Sequence, residues 1–79
     1  MPRYHFNAHD DKDSLDEEGI DLPDLLTAQT EAIRLAGGML LDEASLVHAL
    51  KGWSVSVVDP EGRTLLRVEV NVIDLKSLN

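Results

Sequence analysis

A chain of 79 residues is one small domain, and at this size it buries only about 60% of its extended-chain surface, so its stability rests on packing. There is no cysteine, which excludes disulfides and thiolate metal sites. The net charge of −8 argues against binding a phosphate backbone, because such binding needs Lys and Arg to displace counterions. The charge is also uneven: residues 1–24 carry −6 of it.

The chain opens on "PRYHFNAH", which alternates. Pro2, Tyr4, Phe6 and Ala8 fall on one face and Arg3, His5, Asn7 and His9 on the other. Period two predicts a half-buried strand. "HDDKDSLDEEG" follows, with six carboxylates in eleven positions. A calcium loop of the EF-hand type needs oxygen ligands at its first, third and fifth positions, glycine at the sixth and glutamate at the twelfth. Counted from Asp11, the fifth position is Leu15, the sixth Asp16 and the twelfth Leu22, so the pattern fails. The stretch therefore reads as a solvated loop. Asp16, Glu17 and Glu18 are its candidate partner contacts. "GIDL" after it has the makings of a short strand paired back on the first.

"LPDLLTAQTEAIRLAGGMLLDEA" predicts a helix. Pro23 suits the N-terminal boundary, and Asp24 is placed to cap it. Leu25, Ala28, Ala32, Ile33, Ala36, Met39 and Leu40 recur at mostly three- and four-residue steps, giving an apolar stripe. Gly37-Gly38 weakens the helix by roughly 1 kcal/mol per glycine. Because the stripe continues to Leu40, one long helix is expected, with Ser45 to Gly52 as a connector. "WSVSVVDPEGRTLLRVEVNV" then reads as a hairpin around Asp59-Pro60-Glu61-Gly62. A four-residue loop pairing Val58 with Arg63 puts Trp53, Val55, Val57, Leu66, Val68 and Val70 on one face. A loop one residue shorter puts Arg67 and Glu69 there instead, so the four-residue loop is expected.

The expected architecture is a single α+β domain over residues 1–79. It has two layers: an antiparallel sheet of three to four strands, and one long helix on its apolar face. The order is strand, possible short strand, helix, strand, strand. The other sheet face carries His5, Asn7, Ser54, Ser56, Arg67 and Glu69.

Chemistry-bearing patterns are sparse. His5 and His9 lie about 13 Å apart along an extended strand, too far to share an ion. His48 stands alone. "GWSVS" misses the G-x-S-x-G elbow at its last position, and Ser54 falls inside a strand rather than at a strand-to-helix turn. No glycine-rich phosphate loop and no H-E-x-x-H occurs. No apolar run reaches the roughly 20 residues of a membrane span. The N-terminus lacks a basic region followed by an apolar one, so a cytoplasmic protein is expected.

Four stretches carry a resemblance: "PRYHF", "DEEGIDLPDL", "AQTEAIRLAGGML" and "WSVSVVDPEGRTL". Together they resemble a family of small uncharacterised proteins of rhizobia and related alphaproteobacteria that carry a domain of unknown function. The shared pattern is an R-Y-x-F strand, a D-E-E-G-x-x-L-P-D entry to a helix and a D-x-x-G hairpin. The resemblance implies a small bacterial cytosolic protein and supplies no reaction or catalytic residue. It also draws attention to Asp16-Glu17-Glu18-Gly19 as a structural turn, with Gly19 making the bend and carboxylates accepting backbone N–H bonds.

The expectation is a noncatalytic interaction or regulatory module, not an enzyme. Its partner is an unknown protein or a second copy in a homodimer, with no nucleic acid, membrane or cofactor involved. The alternative is a binder of a small ligand or divalent metal ion through the acidic loop 10–18.

Overall fold

The computed structural model describes residues 1–9, 13–42, 53–71 and 75. Six elements follow in order: β1 (Arg3–His9), β2 (Asp13–Ser14), β3 (Ile20–Asp21), α1 (Leu25–Asp42), β4 (Trp53–Val58) and β5 (Thr64–Val70). The strands form one antiparallel five-stranded sheet. Its main path runs β2-β1-β4-β5, and β3 joins the same outer edge of β1 further along. Among the described residues one α-helix packs on this sheet, so the fold is α+β, as expected. The sheet has one strand more than expected: "GIDL" does pair back on β1, and the acidic stretch adds the two-residue β2.

The alternation in β1 is real. Tyr4 and Phe6 are buried, and Phe6 stands opposite Val57. Tyr4, Phe6, Val55 and Val57 form the core with Ala28, Ala32 and Ala36 of the helix. Leu22, Met39, Leu66, Val68 and Val70 pack around it. The three alanines recur every fourth residue, and their small side chains let α1 lie close over β4 and β5. Full burial of a valine such as Val57 contributes about 2 kcal/mol.

The helix begins where its cap predicts. Asp24 Oδ1 accepts the Thr27 N–H at 2.8 Å and the Thr27 hydroxyl at 2.7 Å. These bonds, the side-chain one first, hold the Asp24 carboxyl below the usual carboxylate range. The helix runs unbroken through Gly37-Gly38 to Asp42. The buried stripe is narrower than the periodicity implied. Leu25 and Ile33, expected in it, are 39% and 53% exposed, because the helix meets the core through its alanine row and Met39. The expected connector from Ser45 to Gly52, with His48, lies outside the described residues.

The hairpin reaches the expected faces by a different route. Asp59 N–H donates to Arg63 O at 2.9 Å, so the loop holds three residues, not four. Gly62 takes the left-handed conformation at φ +85°, and its N–H closes the turn on Asp59 O at 3.0 Å. Val58 then pairs with Thr64 and Val57 with Leu66, so Leu65 is a bulge. The bulge restores the alternation that the shorter loop would have inverted. Leu66, Val68 and Val70 consequently return to the apolar face, opposite Val57, Val55 and Trp53.

Candidate functional site

The acidic segment folds along the outer edge of β1. Antiparallel pairing with β2 covers Ala8 and His9, and pairing with β3 covers Arg3 and Tyr4. Between them lies the Phe6 N–H, which no strand reaches. Asp16 fills that gap: its Oδ2 accepts the Phe6 N–H at 3.2 Å, and its Oδ1 accepts the Gly19 N–H at 3.0 Å. The same residue is held from both sides. Its N–H donates to Asn7 Oδ1 at 2.9 Å, and its carbonyl accepts from His5 Nδ1 at 2.8 Å. Partial burial pushes the Asp16 carboxyl up. The N–H groups of Gly19, Phe6 and Glu18, with the charge of His5, outweigh this and hold it below the ordinary range.

Gly19 makes the turn at φ +77° and sits hard against β1. A Cβ there would come within 2.8 Å of Arg3 Cγ, 3.0 Å of His5 Cε1 and 3.0 Å of the Tyr4 carbonyl oxygen. Arg3 ties down the far end. It donates from Nε and Nη2 to the two oxygens of Asp21 at 3.1 and 3.3 Å, and from Nη1 to Glu18 O at 2.7 Å. The structural turn expected at Asp16–Gly19 is therefore present. Of the three candidate contact residues, Asp16 faces inward, and Glu17 and Glu18 are exposed. Asn7 and Arg3 hold this clasp and were not singled out from the sequence. The signal for Arg3 was available: pairing "GIDL" back on the first strand puts Asp21 opposite it.

The polar sheet face centres on Ser54 and Ser56 of β4. Both are buried between longer neighbours: Ser56 lies between Asn7 and Arg67, and Ser54 between His9 and Glu69. Arg67 Nε donates to Ser56 Oγ at 3.1 Å. The sheet also gathers a serine, a histidine and an aspartate, since His9 opposes Ser54 and its Nδ1 lies 3.0 Å from Asp13 Oδ1. No hydrogen bond joins His9 to Ser54 among the described residues. Ser54 is the second residue of β4, within a strand rather than at a strand-to-helix turn. Among the described residues, no group of three His, Asp or Glu side chains is placed to hold a metal ion; Asp10 and Asp11 lie outside them.

Asp59 anchors the hairpin end. Its Oδ1 accepts the N–H groups of Arg63 at 2.9 Å and Glu61 at 3.0 Å, and its Oδ2 accepts Arg63 Nε at 2.7 Å. The Arg63 N–H is the largest influence keeping this carboxyl below its ordinary range. The D-x-x-G hairpin and the D-E-E-G turn are thus two versions of one device, an aspartate that collects backbone N–H groups across a left-handed glycine.

A family model described as a domain of unknown function, DUF6894, matches residues 3–71. The chain belongs to the DUF6894 family. The match runs from the start of β1 to the residue after β5, so it takes in the clasp, the helix and the hairpin of this DUF6894 domain. No curated protein and no solved structure is similar to the chain. Among the described residues, no helix is long and apolar enough to cross a membrane.

Proposed function

We propose that this DUF6894 domain is a noncatalytic, cytoplasmic interaction module that works as a homodimer. The observation that carries the reading is apolar surface left uncovered on α1. Leu26, Ile33 and Leu41 are 70%, 53% and 79% exposed, whereas the same helix contributes only three alanines to the core, with Met39 packed beside them. A domain this small has little apolar surface to spare, and uncovered apolar surface of this kind marks a contact site. The charge distribution favours a second copy as the partner. The clasp holds the carboxylates of residues 13–21 along the β1 edge, whereas α1 lies over β4 and β5. Two copies can therefore meet on the α1 and β5 side without bringing their acidic edges together. Glu17 and Glu18 then serve to keep the β1 edge solvated and apart from its neighbour.

Sedimentation equilibrium on the purified chain tests this. A dimer at micromolar concentration is expected, weakened by Ile33→Glu. A monomer up to high micromolar concentration would overturn the reading.

A further inference from the structure

β5 is the other edge of the sheet, and among the described residues it has one strand neighbour, β4. It is seven residues long and rich in strand-forming side chains, "TLLRVEV", and among the described residues no strand pairs with its outer backbone groups. An uncovered edge of this kind is a template for another strand, and its own sequence is self-complementary. We infer that two copies of this chain join through β5, antiparallel about a two-fold axis at Val68, to make one continuous sheet. The inference rests on the homodimer reading above and assigns its interface.

The register follows from the faces. Centred on Val68, the two-fold sets Val68 against itself and Leu66 against Val70 of the second copy. All three are half-buried residues on the helix-bearing face. On the opposite face it sets Arg67 against Glu69, and Glu69 against Arg67. Both residues are exposed, and Arg67 uses one donor within its own chain, toward Ser56, which leaves the rest of its guanidinium for the carboxylate. A two-fold moved one residue either way sets Arg67 against Arg67 or Glu69 against Glu69. Like charges directly opposite one another destabilise a strand pair and opposite charges stabilise it, so the Val68 register is selected. Both helices then lie on the same face of the joined sheet.

The test uses the full chain in three forms: native, Arg67→Glu and Glu69→Arg. Each single substitution turns both cross-copy pairs into repulsive ones, so each variant alone should dimerise about tenfold or more weakly than the native chain. Mixed one to one, they restore opposite charges at both pairs, and native mass spectrometry should show the heterodimer as the dominant dimer. A native dimer whose variants dimerise as it does, with statistical mixing, would overturn the β5 interface and leave self-association standing. A native chain that stays monomeric would overturn both. Val68→Cys gives a second reading, independent of how the charge variants fold, because the chain has no cysteine of its own. Mild oxidation should cross-link it into a disulfide dimer, and a dimeric protein that fails to cross-link would overturn the register.

Discussion

The two edges of the sheet are finished by different means. On β1 the chain folds back and covers its own edge piecewise, with two strand fragments and, between them, the Asp16 carboxylate. On β5 the described residues add no further strand, and from Leu66 to Val70 the sequence alternates apolar and charged side chains. The difference teaches what the negative charge is for. Carboxylates on the covered edge include one built into the backbone bonding, and exposed ones around it discourage another strand from approaching. β5 carries charges of both signs, the pattern that the proposed self-pairing needs.

The largest effect that would break this comparison is expected at Gly19. Gly19→Ala adds a left-handed strain and a Cβ in contact with Arg3, His5 and the Tyr4 carbonyl, for a loss of about 3 kcal/mol in urea denaturation. Gly62→Ala at the hairpin has a similar φ but open space, and should lose about 1 kcal/mol. Equal losses at the two sites would show that the clasp does not press on β1.

Next comes Asp16→Ala, which leaves the N–H groups of Phe6 and Gly19 without their acceptor and should lower stability by about 1–3 kcal/mol. The helix glycines should act in the opposite direction. Gly37→Ala and Gly38→Ala each meet nothing within 4 Å and should stabilise the fold by about 1 kcal/mol.

Acid supplies a further test. Asp16, Asp24 and Asp59 all have carboxyls held below the ordinary value of 3.8. A depressed folded-state value means stability that is fully present above 3.8 and is lost as pH falls through the folded-state values. The thermal midpoint should therefore be level above about pH 5 and fall at lower pH, and Asp59→Asn should flatten part of that fall. The smallest effect is expected at Glu17→Gln and Glu18→Gln, whose exposed side chains should change stability by less than about 0.5 kcal/mol.

Much of this was legible in the residues because local chemistry and tertiary need agree. The period-two opening, the Asp24 cap and the turn at Asp59–Gly62 each state their conformation within a few positions. The hairpin was legible only in part. Burial requires that Leu66, Val68 and Val70 share a face with Val55 and Val57, which fixes parity and not loop length. A shorter loop and a bulge are two one-residue changes whose effects on parity cancel, and the chain uses both. β2 was illegible because two residues are too few to show a period. Ile33 was misplaced because helical periodicity identifies apolar positions but not how wide a stripe the sheet accepts.

By itself, the sequence determined the α+β class, the long helix, the two faces of the sheet and the turn chemistry at both aspartate–glycine motifs. All of these depend on residues close in the chain or on the strict two-residue alternation of a strand. Only the tertiary structure decided that Asp16 reaches across to the Phe6 N–H, that the alanine row and Met39 carry the helix's contact with the core, and that among the described residues strand fragments cover the β1 edge and none pairs with the outer side of β5. Those outcomes depend on which backbone groups are left unpaired once the strands are in place, a property of the assembled sheet and of no single segment.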